Sequence, residues 1–200
     1  MKAEGIIIES LLDDIDVSIS RKDYTKVIFF DSVLDLVAHL KASDTFLVID
    51  KKIIKLFGQQ IKPLVKRKAT FLLRVSEKQK NWNNLAIILD QVIASNVSRK
   101  GTIVAIGGGV VTDMTGLIAN LYFRGVKSVL VPTTLLAMVD AAIGGKVAVN
   151  HPHQKNLLGS FYHPSEVLIS TEFLTSIPKR HMYNAAGEIF KLSVISDNNL

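Results

Sequence analysis

The chain alternates short apolar runs with longer stretches in which apolar residues recur every three or four positions. "KVIFF" (26–30), "TFLVID" (45–50), "TFLLRV" (70–75), "GTIVAIGGG" (101–109), "KSVLVP" (127–132) and "EVLIS" (166–170) are short and rich in Val, Ile and Phe, and they read as strands. "SVLDLVAHL" (32–40), "NNLAIILDQVIASN" (83–96) and "VVTDMTGLIANLYF" (110–123) carry helical spacing between them. Such alternation predicts an α/β fold built on a parallel sheet covered on both faces. A further helix is predicted after Pro178, over "KRHMYNAAGEIFKLSVISDNNL". This divides the chain into an α/β domain at 1–176, whose first twenty residues are ambiguous, and the start of a helical region at 177–200.

Composition narrows the class. Charged residues make up 21% of the chain and hydrophobic ones 48%, which fits a soluble globular protein. No apolar run reaches the ~18 to 20 residues of a membrane span, and acids interrupt the N-terminal apolar stretch, unlike a signal peptide. There are no cysteines, so neither disulfides nor thiolate metal sites are available, and a cytoplasmic location is expected. The net charge of +6 points to an anionic partner. The lysines of 51–68 read as a solvated helix face, with no interleaved aromatics of the kind nucleic-acid platforms use. The expected partner is therefore a small anion rather than a nucleic acid or a membrane.

Gly107, Gly108 and Gly109 end a strand and open a helix, an arrangement that lets backbone approach a phosphate at the helix N-terminus. The spacing is not the G-x-G-x-x-G dinucleotide fingerprint, and a tight turn without a ligand is the other reading. Three successive glycines cost backbone entropy, which favours the ligand. Asp113 either complements the helix dipole or faces that ligand. Thr133 and Thr134 follow a strand end, where hydroxyls cap helices or meet phosphates. Asp140, Lys146, Lys155 and Asn156 lie in a glycine-bearing stretch that suits an oxygen-rich anion or is a surface loop. In "NHPHQKN" (150–156), His151 and His153 are expected to point apart and to shape the loop rather than chelate a metal. Glu188 and Lys191 share a helix face, as a surface ion pair or as a metal-binding or catalytic carboxylate with a neighbouring amine.

Taken together, "GGGVVTDMTGLIANLYFRGV", "VPTTLLAMVDAAIGGKVAVNHPHQKNLLGSFYHP" and "LTSIPKRHMYNAAGEIFK" resemble 3-dehydroquinate synthase, densely from about Ser98 to Ile195 and loosely from about Lys26 to Val97. The resemblance implies a Rossmann-like NAD-binding domain followed by a helical domain that supplies metal and substrate groups. It also implies a reaction, the conversion of 3-deoxy-D-arabino-heptulosonate 7-phosphate to 3-dehydroquinate and phosphate in the shikimate pathway of aromatic amino-acid biosynthesis. NAD transiently oxidises a ring hydroxyl and a divalent metal, zinc or cobalt, polarises the reacting oxygens.

Carried over by position, the resemblance makes Gly109, Val110, Val111, Thr112 and Asp113 the pyrophosphate loop. Thr133, Thr134, Lys146, Lys155 and the segment Phe173, Leu174, Thr175 and Ser176 become further NAD contacts. Glu77 and Lys80 become the ribose-binding stretch, and Asp50 takes an adenosine-side position. Asp140, Asn156 and Lys191 become active-site groups, Arg124 a basic residue that reaches a neighbouring subunit's substrate in a homodimer, and Glu188 the first zinc ligand.

Thr112 and Gln154 stand where the family usually has glycine, Ser176 where it has threonine, His181 where it has an acid and Gly187 where it has alanine. The family's two histidine zinc ligands lie downstream of the position matching Glu188, in a domain this chain lacks. One carboxylate does not make a three-ligand site, so these 200 residues alone are expected to hold zinc weakly and to turn over little. Three alternatives stand beside this reading: another sugar-phosphate cyclase, a metal-dependent polyol dehydrogenase, and a non-catalytic NAD-binding or oligomerising remnant.

Overall fold

The computed structural model describes residues 25–40, 44–66 and 69–195. The ambiguous first twenty residues, Arg67 and Lys68 of the lysine-rich stretch, and the end of the last predicted helix lie outside the described residues.

The elements are β1 (Lys26–Phe30), α1 (Val33–His39), β2 (Thr45–Asp50), α2 (Lys51–Val65), β3 (Thr70–Leu73), α3 (Trp82–Ala94), β4 (Thr102–Gly107), α4 (Gly109–Leu121), β5 (Lys127–Pro132), β6 (Lys146–His151), β7 (Gln154–Phe161), β8 (Glu166–Ser170) and α5 (Lys179–Ile195). Six strands form one all-parallel sheet in the order β3-β2-β4-β5-β8-β1. In β4, Ile103, Val104, Ala105 and Ile106 are all buried, the continuous apolar run that a strand covered on both faces requires. α1 and α2 pack together beside the sheet, and α3 and α4 pack together. The predicted α/β parallel-sheet fold is the observed one.

Chain direction across the sheet reverses between β2 and β4: β3 lies outward on one side, β5 and β8 on the other. A reversal of this kind leaves a crevice at the carboxyl ends of the strands, where ligands of open α/β sheets bind. Asp50, Gly107 and Pro132 end β2, β4 and β5 along that edge.

Helix starts differ in a way that matters for the site. Ser32, Asp50 and Asn81 cap α1, α2 and α3 by accepting hydrogen bonds from Asp35 N, Lys52 N and Asn84 N. α4 begins at Gly108 with no side-chain cap. The lysine-rich stretch forms α2 as expected, with Ile53, Phe57, Ile61 and Leu64 turned into the core and Lys51, Lys52, Lys55 and Lys62 exposed.

Three expectations need correction. The strand predicted over 70–75 stops at Leu73, because Arg74 and Val75 have no pairing partner beyond the end of β2. The helix predicted over 110–123 ends at Leu121, since Phe123, Arg124 and Gly125 take positive φ values of 50°, 61° and 120°. The stretch offered as a surface loop is the antiparallel hairpin β6–β7, docked on α4 through Gly116. A Cβ on Gly116 would fall 2.5 Å from Val147 Cγ1, so only glycine lets the hairpin lie this close.

Candidate functional site

The glycine turn is held from both sides. Gly107 O accepts from Thr133 N at 2.9 Å, and Gly108 O accepts from Val111 N and Thr112 N at 2.9 and 3.1 Å. A Cβ on Gly107 would meet Val111 Cγ2 at 2.5 Å, and one on Gly108 would meet Thr134 Cγ2 at 3.1 Å. Val111 is therefore a core residue with an amide already engaged, and the buried Thr112 donates its hydroxyl to Gly109 O at 3.0 Å. With no capping side chain, the amides of Gly109 and Val110, which precede the engaged ones of Val111 and Thr112, are left for a ligand. Their dipole favours an anion.

Beside this turn stands a buried polar knot. The ammonium group of Lys80, a residue only 5% exposed, donates to the Asp113 carboxylate and to Asn156 Oδ1, the latter at 2.5 Å. Burial pushes the Asp113 carboxyl above its ordinary range, the Lys80 charge and hydrogen bond oppose this, and the charges of Asp140 and Glu77 add to the rise. Asn156 reaches the lysine from a left-handed backbone conformation, φ 54°, which asparagine tolerates better than most residues.

Asn150 ties the hairpin to the loop after β3. Its backbone N donates to Lys80 O at 2.8 Å, its Nδ2 donates to Glu77 Oε1 at 2.7 Å, and its Oδ1 accepts from Asn156 N at 2.8 Å. No role was read for Asn150 from sequence. The signal was the alternation of Val147 and Val149, both buried, which marks a strand that carries this asparagine next to its last residue.

A cavity of about 420 Å³ opens between α4, the π-helical turn Ala137–Ala141 and the hairpin. Asp113, Asp140, Lys146 and Asn156 are its polar walls, with Gly144, Gly159 and Phe161 among the others. Two acids, one lysine and an amide, backed by the Lys80 ammonium, can bind an oxygen-rich anion and move protons on its hydroxyls.

The remaining expected residues are placed as follows. Asp50 is 8% exposed, caps α2 and has its carboxyl raised by burial, against the Lys52 amide and charge. Lys155 is exposed and outside the cavity walls, as is Arg124. Phe173 is fully buried, edge-on to Phe57 with ring centroids 5.0 Å apart, and Leu174 packs beside the core. Thr175 and Ser176 turn their hydroxyls onto Glu172 O and Phe173 O, at 2.7 and 3.0 Å. Glu188 and Lys191 form an ion pair on α5.

The histidines differ from expectation. His151 and His153 do not point apart: the chain reverses between β6 and β7, and their ring centroids lie 5.1 Å apart. His153 N donates to His151 Nδ1 at 3.3 Å, so the pair shapes the turn. Among the described residues no three His, Cys, Asp or Glu side chains stand together as a metal site. Among them, too, no helix is long and apolar enough to cross a membrane.

Residues 70–184 match the family model of the 3-dehydroquinate synthase N-terminal domain. The fold is similar to that of 2-epi-5-epi-valiolone synthase from Streptomyces hygroscopicus subsp. jinggangensis 5008, solved with NAD+ and Zn2+, at 33% identity and TM-score 0.79. It is also similar to 2-deoxy-scyllo-inosose synthase complexed with carbaglucose-6-phosphate, NAD+ and Co2+, at 28% identity and TM-score 0.75. Each match covers 87% of this chain and 50% of the synthase, so the chain spans half the length of both. Glycerol dehydrogenase from Schizosaccharomyces pombe, at 18% identity and TM-score 0.57 over 82% of this chain and 42% of its own, shares the fold alone. The family model spans the glycine turn, the Lys80–Asp113–Asn156 knot and the residues lining the cavity, and the chain belongs to the 3-dehydroquinate synthase family.

Proposed function

We propose that this chain is the nucleotide-binding part of an NAD- and metal-dependent sugar-phosphate cyclase. In this reading it acts on 3-deoxy-D-arabino-heptulosonate 7-phosphate, releasing phosphate to form 3-dehydroquinate in aromatic amino-acid biosynthesis. The observation that carries the nucleotide reading is the uncapped start of α4 behind Gly107–Gly109, beside the cavity of Asp113, Asp140, Lys146 and Asn156. Cβ atoms at Gly107 and Gly108 would crowd Val111 and Thr134, so the glycines let the turn close tightly, and the uncapped helix start behind it suits a pyrophosphate. When bound, NAD supplies reversible oxidation of a substrate hydroxyl.

In this reading the first amides of α4 and Thr134 hold the pyrophosphate, and Asp50 and Glu77 hold the adenosine side. Lys80 does not meet solvent; it fixes Asp113 and Asn156 at the cavity wall. Asp140 and Lys146 orient the sugar hydroxyls and phosphate. Glu188 is engaged by Lys191, and the described residues offer no three-ligand set, so no step is assigned to a metal on them. Arg124 is exposed and stands in left-handed backbone. It suits a homodimer in which it reaches the partner's cavity.

Calorimetric titration with NAD+ tests the binding, and absence of heat at millimolar nucleotide would overturn it. Phosphate release from the heptulosonate phosphate, with added zinc or cobalt and without net NADH, tests the chemistry. The likeness to valiolone and inosose synthases favours a second reading, cyclisation of a different sugar phosphate. Phosphate release from another sugar phosphate but not from the heptulosonate would establish it.

A further inference from the structure

A second cleft, of about 280 Å³, lies at the amino ends of the strands, the edge of the sheet opposite Asp50, Gly107 and Pro132. Its floor follows from the register. Thr45, Thr102 and Lys127 are partners across β2, β4 and β5. Two residues further on, Leu47, Val104 and Val129 are partners in turn, with Glu166 of β8 beside Val129. Residues two apart in a strand share a face. One face of the sheet therefore carries a polar rim and, behind it, an apolar row that ends on a carboxylate. His39 and Leu40, at the end of α1, close one side of the cleft.

The charges in this cleft are unmatched. Lys127 and Glu166 are diagonal neighbours on adjacent strands, yet the Lys127 ammonium group makes no ion pair or hydrogen bond among the described residues. Glu166 instead sets Oε2 3.3 Å from His39 Nε2, and its Oε1 has no hydrogen-bond partner among those residues. A ligand carrying both charges can satisfy both groups, a carboxylate on Lys127 and an ammonium on Glu166 Oε1. Leu47, Val104 and Val129 offer apolar surface to a hydrocarbon side chain. The volume falls near the lower bound of roughly 300 Å³ for ligand pockets, which restricts the ligand to a small molecule. A phosphate ester would meet the Glu166 carboxylate and an apolar floor, so the chemistry differs from that of the nucleotide crevice.

We infer that this cleft binds a free α-amino acid with a branched aliphatic side chain, at a site separate from the nucleotide crevice. Lys127 holds the carboxylate, Glu166 holds the ammonium group and the valine–leucine floor takes the side chain. His39 keeps the Glu166 carboxylate turned toward α1, and the Thr102 hydroxyl at the rim is placed to support the ligand's carboxylate. The inference does not depend on the nucleotide reading, because the two sites lie at opposite ends of the same strands.

Calorimetric titration of the unaltered chain with L-leucine, isocaproate and isoamylamine tests this. Isocaproate is leucine without its ammonium group, and isoamylamine is leucine without its carboxylate. L-leucine should bind with a Kd of about 1 mM or below. Each analogue should bind ~10-fold more weakly or worse, the loss of one charge-assisted contact. Lys127→Met and Glu166→Gln should each weaken L-leucine by about 10-fold, with far-ultraviolet circular dichroism matching the parent. NAD+ at millimolar concentration should leave the L-leucine Kd unchanged. Absence of heat with L-leucine overturns the inference, as does isocaproate or isoamylamine binding as tightly as L-leucine. Competition by NAD+ would place the amino acid in the nucleotide crevice and overturn it too, and so would parent-like affinity in both folded variants. The analogue series uses the unaltered chain and decides the matter even where a variant fails to fold.

Discussion

Lys80 and Asp113 stand 33 residues apart in the chain and form an ion pair with side chains only 6% and 15% exposed, one from the loop after β3 and one from α4. The pair joins the two sides of the crevice, and Asn156 joins the hairpin to it.

Lys80→Met therefore strands a buried carboxylate. The expected loss is about 3 kcal/mol at pH 8, the cost of breaking a buried pair from one side. Burial raises the Asp113 carboxyl even with the lysine present. A raised carboxyl contributes stability that is fully present below its unfolded range and is lost as pH rises through the folded value. Without Lys80 the folded value climbs further, so the penalty should shrink at pH 5. Urea denaturation of both proteins at the two pH values checks this; an equal loss at both would sink the account.

Asp50 carries a raised carboxyl too, for the same first cause, yet its task in α2 is to cap the helix. Asparagine caps as well as aspartate and has no charge to desolvate. Asp50→Asn should match or exceed the parent's stability at pH 7, with its advantage fading as pH falls below the ordinary carboxylate range. Asp50→Ala should lose about 1 kcal/mol, the usual value of a cap. If the two variants were equally destabilised at pH 7, the cap would not be the reason Asp50 is there.

The hairpin rests on a glycine. Gly116→Ala places a Cβ 2.5 Å from Val147 Cγ1 and should cost about 1–3 kcal/mol as an overpacked contact. Val147→Ala in the same chain should recover part of that loss, which a double-mutant cycle by thermal denaturation would read as favourable coupling. Additive losses would mean that the contact does not govern docking.

Glu188 and Lys191 belong to a different regime. Their pair lies on α5 with the lysine side chain 54% exposed, where ion pairs contribute about 0–1 kcal/mol. Glu188→Gln should leave the midpoint of urea denaturation nearly unchanged. A loss above about 2 kcal/mol would make the pair a structural one and weaken the case for a chemical role.

Legibility in the sequence followed apolar composition. Lys26–Phe30, Thr45–Asp50 and Glu166–Ser170 have the predicted bounds, because short runs of Val, Ile and Phe flanked by polar residues leave little choice of element. The glycine turn was legible because three glycines between a strand and a helix have few other uses. The hairpin was hidden: seven of the eight residues of β7 are exposed, so it lacks the apolar alternation of a half-buried strand. Lys80 was found by resemblance, yet its burial was not legible. A lysine in "SEKQK" is indistinguishable from its surface neighbour Lys78 until Asp113 and Asn156 arrive from other elements.

The outer strand of the sheet carries a consequence for the order of assembly. Lys26 pairs with Glu166, Thr25 Oγ1 donates to Pro164 O at 2.8 Å, and Val33 N donates to Glu172 Oε2, across 139 residues, at 2.6 Å. β2, β3, β4 and β5 find their neighbours within much shorter stretches of chain. During synthesis β1 emerges first but has no strand to join until β8 has left the ribosome. The apolar face of Phe29, still 72% exposed in the finished fold, spends that interval uncovered. The crevice edge made by β2, β4 and β5 forms from strands that pair over short stretches of chain, so it can be complete before the sheet acquires its last edge.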